Sequence, residues 1–288
     1  MTQATADERI VEQVKDRYGK IASGQLSGCC GPSGPCGGTA ETVVALEVGY
    51  GKKDLDAIPD EANLGLGCGA PIGFLDLKPG EHVLDLGSGA GVDVFLAARK
   101  VGATGHVIGV DMTPEMLERA RAGAAKHAFA NVDFREGRLE ALPVEDASVD
   151  AVTSNCVINL VPDKAAVFRE VARVLKPGGR LVISDILLDG RLPEALEKDV
   201  LAYVGCVSGA ILREDYFAMA RAAGLDEITV LKDIDYVAAF ADAAPEEAKA
   251  LLAQSGTQLE DVVGKVRSIT FRARKAESCC ATSCCGGD

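Results

Sequence analysis

Residues 82–111 read HVLDLGSGAGVDVFLAARKVGATGHVIGVD, and the order of features along them decides the fold. An apolar run, His82–Leu86, stops at a glycine turn. Val92–Lys100 continues with helical spacing, and Val107–Val110 is apolar again and ends in Asp111. Strand, glycine turn, helix, strand and terminal carboxylate in that order form the first unit of a parallel sheet wound with helices. The glycines fall at 87, 89 and 91, and valine occupies position 92, where the dinucleotide-binding pattern GxGxxG requires its third glycine. A dinucleotide is therefore disfavoured. A nucleoside without pyrophosphate suits the turn better, because glycines let the backbone approach it and Asp111 can accept hydrogen bonds from both ribose hydroxyls.

Outward from this unit the alternation continues. Thr113-Pro114 reads as an N-cap followed by Pro in the first helical position, with a helix to about His127. Val132–Arg135, Val149–Ser154 and Arg180–Ser184 read as further strands, and Asp163–Lys176 as a helix closed by Pro177-Gly178-Gly179. Helices are expected near 193–204 and 213–223, strands at Ile228–Leu231 and Val266–Ala273, and a helical insertion over 236–264 between those strands. The fold class is therefore α/β, a doubly wound sheet. Towards the N-terminus, residues 7–20 form an amphipathic helix that stops at Gly19, and Ser23–Ala40 is too rich in Gly and Pro for regular structure. A short helix near Thr42–Val48 precedes NLGLGCGAP, where Cys68 stands between two glycines.

Thirty Lys and Arg against 43 Asp and Glu give the 288-residue chain a net charge of −13, which repels nucleic acid and anionic membranes. Hydrophobic residues at 48% suffice for a sizeable core. The longest uncharged apolar stretch, Val200–Leu212, is too short to span a bilayer, and MTQATADERI lacks the basic-then-apolar start of a secretory signal. A cytoplasmic location is expected.

Ten cysteines in such a chain are expected as thiols, since a reducing compartment does not keep structural disulfides. Cys29-Cys30 with nearby Cys36, and Cys279-Cys280 and Cys284-Cys285 in the tail, are clustered; Cys68, Cys156 and Cys206 stand alone. No zinc-ribbon spacing occurs, and only three histidines exist to complete a mixed site. Thiols at this density suit a soft ion or a redox cycle, while the isolated three also fit buried apolar positions. His82, His106 and His127 read as surface or packing residues, Asp163-Lys164 as a helix start, and Asn155 and Asn159 each as a turn cap or a cofactor contact.

VLDLGSGAG, GVDMT, GRLEALP and the strand ending SN resemble the class I S-adenosylmethionine-dependent methyltransferases over roughly residues 80–230. The resemblance implies a Rossmann-like sheet in which Asp85, Gly87, Ser88, Gly89 and Gly91 surround the methionine half of the cofactor. It also implies that Asp111 holds the ribose, Met112 covers the adenine, the Leu139-Glu140 segment meets the adenine edge, and Asn155 lies at the site. GLGCGAP, SNCVINLVPDK and GCVSGA are similar, in the same order, to the cysteine motifs of the arsenite methyltransferase family. Membership would make Cys68, Cys156 and Cys206 both the arsenic-binding thiols and the catalytic residues. Cys29, Cys30, Cys36, Cys279, Cys280, Cys284 and Cys285 would be accessory thiols, and which of the first three matters stays open.

The family also implies arsenite or methylarsenite as substrate, S-adenosylmethionine as cofactor, thioredoxin or glutathione as the re-reducing thiol, and arsenic detoxification as the role. The expected organisation is an N-terminal helix and Cys-rich loop capping the site (1–75), a cofactor-binding domain (76–190), a C-terminal arsenic-binding part completing the sheet (191–275) and a flexible Cys-rich tail (276–288). Two other readings stay open on sequence: a methyltransferase of a small organic metabolite with incidental cysteines, and a thiol-based metalloid-sequestering protein.

Overall fold

The sheet grows in both directions from β1 (His82–Leu86), whose Val83, Leu84 and Leu86 are fully buried, as a parallel strand covered on both faces must be. The computed structural model describes residues 5–26, 40–192, 209–240 and 261–277. Within them β2 (His106–Asp111), β3 (Val132–Glu136), β4 (Val149–Asn155), β5 (Leu175–Leu188), β6 (Leu225–Asp235) and β7 (Val266–Lys275) join β1 in one seven-stranded sheet of order β3-β2-β1-β4-β5-β7-β6. β1 pairs in parallel with both β2 and β4, whereas β7 runs antiparallel between β5 and β6. The helices are α1 (Ala6–Ala22), α2 (Ala40–Val48), α3 (Lys52–Leu55), α4 (Val92–Val101), α5 (Pro114–Lys126), α6 (Lys164–Val174), α7 (Arg213–Ala222) and α8 (Tyr236–Phe240). Among the described residues no helix is long and apolar enough to cross a membrane.

Two apolar layers cover the sheet. On one side α4 and α5 bring Val94, Phe95, Leu117 and Ala120 against Val83, Val107 and Val182. On the other, α6 and α7 bring Phe168, Val171, Tyr216 and Phe217 against Leu84, Leu181, Ile183 and Phe271. The chain reaches each layer with capped helices: Asp163 accepts the Ala166 N–H at the start of α6, and Thr5 and Glu8 form a reciprocal capping box on α1.

Several boundaries differ from the sequence reading for local reasons. α1 runs through Gly19 because Ile21 and Ala22 extend its buried face. The Thr113 side chain makes no cap bond; instead the Asp111 carboxylate accepts the Thr113 N–H. α6 ends at Val174, two residues before the restriction that Pro177 places on Lys176 takes hold, and β5 begins at Leu175. Residues 176–179 then bulge, since Val149 faces Leu175 while Ala151 already faces Arg180. β6 is longer than Ile228–Leu231, its pairing with β7 spanning two irregularities. The helix expected near 193–204 and most of the 236–264 insertion lie outside the described residues, α8 being its described beginning.

The ring of Phe271 lies 6.0 Å from that of Tyr216 and 5.0 Å from that of Phe217, so β7 contributes an aromatic contact that helps to seat α7 on the sheet. Phe271→Ala should cost about 3–5 kcal/mol of unfolding free energy. Urea denaturation checks this; a loss below about 1 kcal/mol would mean that α7 is held elsewhere.

Candidate active site

The chain leaves β1 and β4 in different directions, and their carboxyl ends open a crevice at the point where strand order reverses, the usual ligand position in such sheets. The turn after β1 is pinned to β2 by the Gly87 and Ser88 N–H groups, which both donate to Val110 O at 2.7 and 3.0 Å. The resulting cleft encloses about 1420 Å³ of non-protein space, part of it open to solvent. Its walls come from the β1 turn, the end of β2, residues 137–140, the end of β4, and Val11, Val14 and Tyr18 of α1.

Four carboxylates line this cleft: Glu140, paired with Arg138, and three beside the glycine turn. Asp111 Oδ2 accepts the Gly89 N–H at 2.9 Å and Oδ1 accepts the Thr113 N–H at 2.8 Å, and the Thr113 hydroxyl and the Met112 N–H add to the hold, which fixes the carboxylate at the end of β2. Asp85 and Asp93 are 3% and 4% exposed. Burial, reinforced by Asp93 and Asp111, pushes Asp85 well above the usual carboxylate range. Burial likewise raises Asp93 to about 7, against a hydrogen bond from the Tyr50 hydroxyl at 3.0 Å that favours ionisation. Ionised together these groups repel, so the cleft favours a cationic ligand.

Of the two described cysteines Cys156 lines the same crevice, and Cys68, 6% exposed, lies behind it outside the lining. Cys68 is held by its backbone: its N–H donates to Asn155 Oδ1 at 3.1 Å and its carbonyl accepts from Ser268 Oγ at 2.6 Å. That approach requires the flanking glycines, for a Cβ at Gly67 would lie 2.7 Å from Asn155 Nδ2 and one at Gly69 2.5 Å from Ser184 Oγ. Cys156 follows β4 directly, with its N–H on Ser184 O at 2.8 Å and φ at +58°, a left-handed conformation uncommon outside glycine. The structure corrects the expectation of free thiols here. Cys68 and Cys156 form a disulfide across 88 positions of sequence, their Cα atoms 5.8 Å apart.

Both sulfurs and a carboxylate oxygen of Asp185 lie within 4.8 Å of one another. Asp185 is 1% exposed and accepts from Tyr216 Oη, Asn159 N and Ile186 N. Burial raises it to about 7 in spite of those bonds.

Asp85, Gly87, Ser88, Gly89, Gly91, Asp111, Met112, Leu139, Glu140, Asn155 and Cys156 all line the one cleft. Ser88 Oγ turns away from it, since a Cβ on Gly109 would fall 2.7 Å from that oxygen. Asn159 is buried beneath the cysteines, with its side chain on Ile186 O, and is no cleft residue. His82 and His106 pack edge to face at strand starts, and His127 lies beside Glu61. Cys206, Cys29, Cys30, Cys36, Cys279, Cys280, Cys284 and Cys285 lie outside the described residues. Sequence reasoning missed Tyr50, Asp93 and Asp185. A carboxylate in the apolar run LVISDILL was the available signal for the last.

The donor set suits S-adenosylmethionine: a fixed carboxylate lining the cleft at the end of β2, an acidic pocket beside the glycine turn for its positive charges, and the apolar Met112, Leu139 and Leu160 for a base. A family model described as a methyltransferase domain matches residues 77–241. With the strand order and the glycine turn, this defines a class I methyltransferase. An arsenite methyltransferase of Halobacterium salinarum is 47% identical over 232 residues, covering 77% of this chain and 59% of that protein. One of Aquipseudomonas alcaligenes is 46% identical over 176 residues, covering 58% and 50%. The solved structure of an arsenic(III) S-adenosylmethionine methyltransferase from Chlamydomonas reinhardtii matches with a TM-score of 0.57 at 30% identity, over 84% of this chain and 75% of that one. The chain thus belongs to the arsenite methyltransferase family, and it spans little more than half the length of the two curated relatives.

Because the folded pKa of Asp185 lies above its unfolded value, its contribution to stability is complete below about pH 4 and is lost as pH rises through about 7. The stability advantage of the oxidised wild type over Asp185→Asn should therefore shrink across that window, by at most about 1.4 kcal/mol per pH unit. Denaturation series at pH 4 to 8 measure the difference, and a constant difference would mean that Asp185 is ionised throughout.

Proposed function

We propose that this chain transfers methyl groups from S-adenosylmethionine to trivalent arsenic held on Cys68, Cys156 and Cys206, in the service of arsenic detoxification. The observation that carries the reading is the pairing of Cys68 with Cys156 beside the cleft lined by the glycine turn and Asp111. A methyltransferase of organic metabolites has no need of a thiol pair there, and a sequestering protein has no need of the Asp111 cradle.

Asp111 would hold the ribose, Asp85 and Asp93 the positive charge of the methionine half, and Met112 with Leu139 the adenine. When bound, S-adenosylmethionine supplies an electrophilic methyl carbon on a sulfonium that already activates the leaving group. Trivalent arsenic has a lone pair and three pyramidal coordination positions, which three thiolates fill. That pair forms the new carbon–arsenic bond while the carbon–sulfur pair returns to the sulfonium sulfur, so no proton is lost and no general base is required. The protein's contribution is then proximity and orientation.

Arsenic leaves this step formally oxidised by two electrons. As Cys68 and Cys156 leave arsenic, one of their two As–S bonding pairs becomes the S–S bond and the other stays on arsenic as its lone pair, so arsenic returns to the trivalent state, a hydroxide or thiolate from solution takes the vacated position, and the disulfide is the state so produced. Thioredoxin or glutathione, by thiol–disulfide exchange, would close the cycle.

Incubation of the pure protein with arsenite, S-adenosylmethionine and a dithiol, followed by separation of arsenic species, should yield methylated arsenicals. Cys68→Ser, Cys156→Ser and Cys206→Ser should each abolish at least one methylation step with cofactor affinity nearly intact. Parental rates and products from all three would remove the thiol cage. Asp111→Ala should weaken cofactor binding at least tenfold, two charge-assisted hydrogen bonds of about 1.5–3 kcal/mol each being lost. Calorimetric titration showing unchanged affinity would take Asp111 out of the site.

A further inference from the structure

The amide of Asn155 is saturated. Its Oδ1 accepts the N–H groups of Cys68 and Gly69 at 3.1 and 3.3 Å, and its Nδ2 donates to Gly69 O at 2.6 Å and to Tyr50 Oη at 2.9 Å. Two lone pairs and two N–H donors are thereby all used, the opposite amide orientation would set donors against donors, and the same amide stands close enough to Asp93 to favour its ionisation. Only asparagine fits: aspartate would face the Gly69 carbonyl without a donor. Tyr50 passes the pattern on, since its hydroxyl accepts from Asn155 and donates to Asp93 Oδ1 at 3.0 Å. Every donor in the series Cys68 N–H, Asn155 amide, Tyr50 O–H therefore points towards Asp93.

We propose that Asn155 and Tyr50 are positioning residues that couple occupancy of the cofactor cleft to the placement of Cys68, so that cofactor and trivalent arsenic bind with positive cooperativity. This rests on the reading of Cys68 as an arsenic ligand and of the acidic cleft as the cofactor site. A chain of hydrogen bonds running one way polarises along its length: a hydroxyl that donates more strongly is also a better acceptor. A cation arriving beside Asp85 and Asp93 holds Asp93 ionised, which strengthens the bond from Tyr50, then the bond from Asn155 to Tyr50, then the hold of Asn155 Oδ1 on the Cys68 and Gly69 amides. Ser268 holds the Cys68 carbonyl from β7, a second anchor on a different strand from Asn155. By linkage, whatever cofactor does for arsenic affinity, arsenic does for cofactor affinity.

The test is a thermodynamic cycle on the reduced full-length protein. Arsenite is titrated calorimetrically with and without saturating sinefungin, a cationic analogue with no methyl group to transfer. In the wild type sinefungin should tighten arsenite binding at least about fivefold, the lower range of allosteric coupling. Tyr50→Phe, which deletes one oxygen of the relay and keeps its ring, should reduce that factor below twofold. No tightening in the wild type, or full tightening in Tyr50→Phe, overturns the relay. Hydrogen exchange on the wild type gives a second measurement independent of any variant's folding: sinefungin should slow exchange of the Cys68 and Gly69 amides at least tenfold, and unchanged exchange also overturns it. If arsenite fails to bind in either state, or binds Cys68→Ser and Cys156→Ser as tightly as wild type, it is the underlying reading of the arsenic site that fails.

Discussion

The parallel pairing of β1 with β2 on one edge and β4 on the other is the constraint from which the site follows. A chain that must cross over in both directions cannot close the space above the carboxyl ends of its central strands. Into that space the turn after β1 brings backbone N–H groups, the end of β2 brings Asp111, and the end of β4 brings Asn155 and Cys156 in succession. The last of these is economical, since adjacent residues at one strand end serve the two halves of the site, the amide reaching the cleft and the segment that bears Cys68, and the thiol reaching Cys68 itself.

The charge distribution across the crevice has a physical logic of its own. Three carboxylates with little access to water make the cleft costly when empty and ionised, and burial answers by raising Asp85 and Asp93 towards protonation. A cationic ligand relieves that cost. On the sulfur side Asp185 sits in the same predicament beside the disulfide, tied down by Tyr216 and two backbone amides. The cleft is thus prepared for positive charge on one side, and on the other it is lined by Cys156, whose sulfur is bonded to Cys68 behind it.

Features set by neighbouring residues were legible in the sequence. The apolar runs of β1 and β2, the glycine turn and Asp111 stand within one continuous stretch, and their local patterns say what they form. The glycines around Cys68 were legible as sites of close approach, but not what approaches, because Asn155 and Ser184 come from strands about a hundred residues away. Separation in sequence, of 88, 43 and 200 residues, likewise hid the disulfide, the Tyr50–Asp93 bond and the grip of Ser268 on Cys68. Asp185 was hidden for another reason: one carboxylate in an apolar strand looks like a strand end until β7 is known to pair with residues on both sides of it. The Pro-Gly-Gly stop after α6 was misplaced because a bulge lets β5 begin before the proline, a choice made by pairing with β4 rather than by local propensity.

Arsenic X-ray absorption on the reduced protein loaded with one equivalent of arsenite tests the thiol cage without requiring turnover, because it reports the atoms bonded to the metalloid. Three sulfur atoms are expected around arsenic in the wild type, with one sulfur replaced by oxygen in Cys156→Ser. An oxygen-only shell in the wild type, or a three-sulfur shell that survives loss of both Cys68 and Cys156, would contradict it.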